Sequence, residues 1–278
     1  MKKILVPCDF SNHAINAFRF ALDIASESNG HVHLLNVIEL PMMHDTVLMP
    51  VLSFEEALLK ELSENAETQF KKLKNQYPHE GIKVVTVTRF GYIYKAITDY
   101  IEENEIDLVI MGTHGVSGLK EILIGSNTEK IVRNSPVPVL AIKEYPHKQS
   151  IKNIVFPNTL AKDQEDLVMH IKDLQNFFNA RLHIVWINTP ANFTGDTVTM
   201  QRLEEFVKRF MIKDYTLNIF NDPNEEVGVI NFTHSIKADL IAMGTRGRKG
   251  LAHTLSGSVT EDVVNHVDCP IWTYVIKK

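Results

Sequence analysis

One glycine–serine spacing occurs twice in this chain. Gly112-x2-Gly115-x9-Gly125-Ser126 lies in the first half and Gly244-x2-Gly247-x9-Gly257-Ser258 in the second, every position displaced by 132 residues. A spacing that returns in register marks a duplicated unit. In each copy the first glycine follows an apolar run, Leu108-Val109-Ile110-Met111 and Leu240-Ile241-Ala242-Met243, and the Gly-Ser pair opens a helical stretch. A glycine at a buried strand end admits a ligand close to the backbone, and a helix N-terminus offers free N–H groups to phosphate oxygens. The pattern reads as a phosphate cradle made twice. Ser126-Asn127-Thr128-Glu129 and Ser258-Val259-Thr260-Glu261 also fit a capping box. A cap alone does not account for two glycines at the preceding strand end, spaced alike in both copies.

The length of 278 residues suits two domains, each of roughly 140 residues. A net charge of −5 without a Lys/Arg block argues against nucleic acid or anionic membrane as a main partner. No apolar stretch is long enough to span a bilayer, and no signal-peptide core follows Met1-Lys2-Lys3. The two cysteines, Cys8 and Cys269, sit at non-equivalent positions of the repeats. A disulfide framework is thereby excluded and a reduced, cytoplasmic setting is expected.

Strand and helix signals alternate. Lys3–Val6, His31–Val37, Ile82–Thr88, Leu108–Met111 and Val137–Ile142 read as strands in the first half, with helices between them. The second half repeats the order with Asn153–Phe156, Leu182–Ile187, Tyr215–Phe220, Leu240–Met243 and Ile271–Ile276. Such alternation predicts parallel sheets covered by helices on both faces. The offset between copies is 150 near the start and 132 later, so the second copy lacks 18 residues after its second strand. The first copy keeps a long loop there, Leu40–Leu52, with Met42, Met43, His44 and Met49. The methionines are expected to pack on the other half. Pro138 and Pro270 each introduce an apolar last strand, and an exposed edge of that kind needs covering. Antiparallel pairing of Val139–Ile142 with Ile271–Tyr274 would supply the cover. The linker Glu144–Ser150 reads as short and polar.

The glycine pattern, the opening Ile4-Leu5-Val6-Pro7-Cys8-Asp9-Phe10-Ser11 and the Pro138-Val139-Leu140 ending resemble the universal stress protein family over both halves. The resemblance implies two tandem doubly wound five-stranded parallel-sheet domains, residues 1–146 and 151–278, packed as a pseudo-dimer. It implies strand order 3-2-1-4-5 in each, the fold called adenine nucleotide alpha hydrolase-like. The ligand it implies is ATP, AMP or ADP, with Mg²⁺ compatible with the triphosphate. Asp9 and Gly112 then end adjacent strands at the topological switch point, where such sheets bind ligands. Carried over by position, Pro7, Cys8, Asp9, Val37 and Met111 surround adenosine, while Gly112, Gly115, Gly125, Ser126, Asn127 and Thr128 hold phosphate and sugar. The second-copy counterparts are Gly244, Gly247, Gly257, Ser258, Val259 and Thr260. Thr159 stands where Asp9 should be, Ile187 replaces Val37 and the lid is shortened, so this half is expected to bind nucleotide weakly or not at all. Arg246, Arg248 and Lys249 read as solvated surface, the alternative being that they meet phosphate charge and offset part of that loss.

Neither a Walker A lysine pattern nor GxGxxG is present. The equivalence of His33 and His183 favours structural histidines over metal ligands, and His44 reads as a solvated loop residue. Cys8 reads as a small buried residue, since nothing basic lies near it in sequence to lower its pKa. No catalytic residue is assigned: neither copy repeats a His or Glu near the glycines to activate water, so ATP turnover is expected to be slow at most. The expected function is a cytoplasmic stress signal or switch that binds adenine nucleotide mainly in the first half. The alternative is a stress scaffold of the same fold that acts through protein partners. Further homo-oligomerisation is left open.

Overall fold

The computed structural model describes residues 1–39, 50–113, 125–161, 163–245 and 263–276. Buried apolar runs form the strands: β1 (Lys3–Pro7), β2 (His31–Ile38), β3 (Lys83–Phe90), β4 (Leu108–Gly112) and β5 (Val139–Ile142), then β6 (Asn153–Pro157), β7 (Arg181–Asn188), β8 (Tyr215–Asn221), β9 (Leu240–Thr245) and β10 (Ile271–Val275). Helices α1 (Asn12–Ser28), α2 (Pro50–Gln76), α3 (Ile93–Asn104) and α4 (Ser126–Asn134) separate the first five strands. Helices α5 (Glu165–Phe178), α6 (Asp196–Arg209) and α7 (Glu225–Ser235) separate the next four, and a helical turn at 263–266 precedes β10. The strands make one ten-stranded sheet in the order β3-β2-β1-β4-β5-β10-β9-β6-β7-β8.

Every neighbouring pair is parallel except β5 and β10, which meet antiparallel with Leu140 opposite Trp272. Side chains alternate between two cores, as the pleat requires. Ile4, Val6, Leu34 and Ile110 join Phe18 of α1 and Phe70 of α2 on one face. Leu5, Leu35, Val109 and Met111 join Ile97 of α3 and Ile131 of α4 on the other. Both cores run across the joint without a break. Leu167, Ile171 and Leu203 of α5 and α6 extend the first, while Val229, Val263 and Val264 extend the second.

The duplication is written in the backbone as well. Left-handed residues recur at equivalent places: Phe10 (φ 64°) with Leu160 (φ 56°), Asn29 (φ 50°) with Asn179 (φ 48°), and Glu105 (φ 51°) with Lys237 (φ 50°). Few side chains tolerate this region, so matched occurrences mark matched chain reversals.

The segment between β5 and β6 is less polar in its role than its composition suggests. Tyr145 donates its hydroxyl to Asp23 of α1, lies under the Arg19 guanidinium (4.0 Å to the ring centre) and touches the edge of Phe20. Lys148 pairs with Glu27. Phe20 in turn stacks on Phe178 of α5, with ring centres 6.5 Å apart. The linker thus lies along α1 where the helices of the two halves meet.

Candidate nucleotide site

A cavity of about 470 Å³ opens at the carboxyl ends of β2, β1 and β4. It is roomy enough for a small ligand. Pro7, Cys8, Asp9, Val37, Met111, Gly112, Gly125, Ser126, Asn127 and Thr128 all line it. Of the first-half residues singled out from sequence, Gly115 lies outside the described residues. Five more line the cavity that sequence reasoning did not single out: Ala14, Leu35, Glu39, Ile93 and Ile97. The signal for two of them was available, because Leu35, Val37 and Glu39 share a strand face by their period of two.

Asp9 is aimed by local hydrogen bonding. The Cys8 N–H donates to the Leu35 carbonyl (2.8 Å), which fixes the end of β1 against β2. Phe10 then turns left-handed, and the Asp9 carboxylate accepts the Ser11 N–H at 3.0 Å, leaving the side chain exposed at the cavity rim. Ser11 caps α1 by accepting from the Ala14 N–H. Beneath, Cys8 is buried, with burial pushing its thiol up to about 12. It is therefore a neutral, apolar wall element.

At the other end of the cavity the capping-box reading of Ser126 is corrected. The N-cap of α4 is Gly125, which has no side chain with which to cap the helix. Ser126 is instead the first helical residue, while Glu129 donates its backbone N–H to the Gly125 carbonyl and pairs by its side chain with Arg133. Gly125 is secured by its N–H on the Thr113 carbonyl (2.7 Å), and Thr128 by its hydroxyl on the Gly112 carbonyl (3.0 Å). The N–H groups of Ser126, Asn127 and Thr128 precede the first intrahelical donor, so they have no partner within α4. An anion at this terminus meets those donors and the positive end of the helix dipole.

The reason for glycine at 112 also differs from the expectation of close ligand approach. A Cβ there would lie 2.6 Å from the His13 Cβ and 2.8 Å from its carbonyl carbon. Helix α1 crosses the end of β4 at this point, so packing excludes the side chain. Gly125 has an ordinary φ of −59°, and no left-handed strain demands glycine there.

Among the described residues of the second half, the matching positions carry larger or hydrogen-bonded side chains. Gln164, buried at the position of Ala14, accepts from Asn158 Nδ2 (2.7 Å) and reaches the Thr159 hydroxyl (3.5 Å). Ile187, at the position of Val37, lies so close to Gly228 of α7 that no Cβ would fit there. The segment after β7 folds down over this place: the Thr189 N–H donates to Asn192 Oδ1 (2.7 Å), and Asn192 Nδ2 donates to Glu225 (2.8 Å). Burial raises the Glu225 pKa, with the Asn192 hydrogen bond acting against it. Gly244, one residue before the end of β9, has Leu167 and Ile276 packed where its Cβ would be. Gly247, Gly257, Ser258, Val259 and Thr260 lie outside the described residues, as do Met42, Met43, His44, Met49, Arg246, Arg248 and Lys249.

The two matched histidines have structural partners. His33 Nδ1 bonds the Tyr100 hydroxyl (2.8 Å), while His183 bonds Thr216 (2.8 Å) and Asn153 (3.0 Å). Among the described residues no group of three or more His, Cys, Asp or Glu side chains could hold a metal, and no helix is long and apolar enough to cross a membrane.

The doubly wound, parallel-dominated sheet with a cavity at its switch point defines an α/β protein. Residues 1–143 and 216–274 match the Universal stress protein family, and the chain belongs to it. A universal stress protein of Methanocaldococcus jannaschii is 32% identical over 143 residues, covering 51% of this chain and 82% of that relative. One from a Synechocystis strain is 23% identical over 293 residues and spans 99% of this chain and 100% of its own. The crystal structure of a universal stress protein from Archaeoglobus fulgidus shares the fold with a TM-score of 0.78 at 21% identity, covering 99% of this chain and 98% of its own.

Proposed function

We propose that this chain binds an adenine nucleotide (ATP, or ADP or AMP) in the first-half cavity and that occupancy serves as a cytoplasmic stress signal or switch. The observation that carries this reading is the uncapped first turn of α4 at one end of a largely apolar cavity. Phosphate suits the three amides of Ser126, Asn127 and Thr128. Apolar walls of Leu35, Val37, Ile93 and Met111 suit a base, and Asp9 at the rim suits a hydroxyl or amine donor. Mg²⁺, where present, travels on the phosphates of ATP. No general base repeats near the glycines of both copies, so hydrolysis is proposed to be at most slow.

The chain is read as a tandem fusion of a domain at 1–146 and a domain at 151–278, the last strands taking the place of a dimer interface. Gln164 and Thr159 in place of Ala14 and Asp9 favour a scaffold role for the second half, carried out through protein partners. The test is to heat-denature freshly purified chain, identify any released ligand by mass spectrometry, and titrate Mg-ATP into the ligand-free protein. One adenine nucleotide per chain is expected. A chain that retains none and takes up none at millimolar ATP would leave the scaffold reading for both halves.

A further inference from the structure

Two helix N-termini open on the cavity, and they are not alike. That of α4 has no side-chain cap. That of α3 has no acidic residue in its first turn and no side-chain cap at Tyr92, but its first amide, Ile93 N–H, donates to the Glu39 carboxylate at 3.4 Å. Glu39 follows the end of β2, is exposed at the rim and lines the cavity with Ile93 and Ile97. It thus supplies from the strand side the negative charge that α3 lacks, and it occupies the place an anion would take. Strand β1 separates β2 from β4, so the strand ends leading to Glu39 and to Gly112 lie about 10 Å apart. That is a nucleoside's length.

We propose that Glu39 is a specificity residue of this cavity: it turns the phosphates away from α3 toward α4, and it selects a base carrying an amino group over one carrying a carbonyl oxygen at that edge. This rests on the nucleotide reading given above. The chemistry is that of an acceptor-only group beside an apolar slot. A carboxylate gains a charge-assisted hydrogen bond from an exocyclic amine and repels a carbonyl oxygen in the same place. The second half supports the assignment by contrast. There the strand position of Glu39 holds Thr189, the helix position of Ile93 holds Glu225, and that carboxylate is taken up by Asn192. The charge has moved onto the helix and is engaged by a loop, in the half where Thr159 replaces Asp9.

The experiment is calorimetric titration of the full chain with ATP and with inosine triphosphate, which carries a carbonyl oxygen where ATP carries its amine. Wild type is expected to prefer ATP about tenfold, the size of one hydrogen bond to a charged group. Glu39→Gln, whose amide donates as well as accepts, is expected to bring the two affinities within about twofold while circular dichroism and melting stay near wild type. An unchanged preference in Glu39→Gln, with ATP still bound, would overturn the role of Glu39 and leave the nucleotide reading standing. A wild-type chain that binds neither triphosphate would overturn both.

Discussion

Asp9 and Cys8 are neighbours in sequence with opposite chemistry, one exposed and the other buried. The Asp9 carboxylate is at the rim, engaged by the Ser11 N–H, whereas the Cys8 thiol is walled in and its pKa is pushed up to about 12 by burial. Asp9→Ala is expected to weaken ATP binding roughly ten- to hundredfold, the range for one hydrogen bond to a charged group, with only a small change in melting temperature. Calorimetry beside a thermal melt checks it; unaltered affinity would remove Asp9 from the site. The native chain is expected to leave Cys8 unalkylated by iodoacetamide at pH 8 and to modify it once unfolded in urea, read by peptide mass spectrometry. His33 and His183 titrate the other way: burial lowers both below their ordinary 6.5, followed by repulsion from His31 and Arg181 respectively. The folded state therefore holds them neutral while the unfolded chain takes up protons near pH 6.5. Their contribution to stability is complete above that pH and is lost as pH falls below it. Urea midpoints should decline between pH 7 and 5.5, and the decline should flatten in a His33→Gln, His183→Gln variant.

At the scale of elements the two cradle glycines separate. Gly112→Ala forces a Cβ into the backbone of His13 in α1, and such overpacking costs about 1–3 kcal/mol, so this variant should melt lower whether or not nucleotide is present. Gly125 has an ordinary φ, so Gly125→Val is expected to keep the wild-type melt and lose ATP binding. A Gly125→Val chain that binds ATP as wild type does would confine the glycine to a capping role. Most elements were legible in the sequence, because strands buried on both faces must be continuous apolar runs, as Leu108–Met111 and Leu240–Met243 are. Matching Pro7 with Pro157 and Gly112 with Gly244 also gave the repeat. What stayed hidden depends on contacts between distant segments. That Gly112 answers to His13, that Ser126 is a helical residue and not the cap, and that Gln164 at the position of Ala14 binds Asn158 all require α1, α4 and α5 to be placed first. Leu35 and Glu39 were within reach, since they flank Val37 on one strand face.

For the whole molecule, the β5–β10 pair and the Phe20–Phe178 stack join the halves through sheet and helices together. A fragment of residues 1–146 loses the partner of β5 and uncovers Phe20, so it is expected to self-associate at micromolar concentration while the full chain does not form that contact between molecules. Sedimentation velocity distinguishes the two, and a strictly monomeric fragment would mean that the joint is dispensable. The same joint sets Leu140 against Trp272, a pairing that a symmetric dimer of identical chains cannot make alone, because each residue there must also accept its symmetry mate. Covalent fusion lifts that restriction, so one cleft could close without harming the other. If, as proposed above, nucleotide binds in the first half alone, occupancy should follow ATP concentration as a simple hyperbola with a Hill coefficient of one, a graded gauge and not a threshold; a sigmoidal titration would point to a second, coupled site.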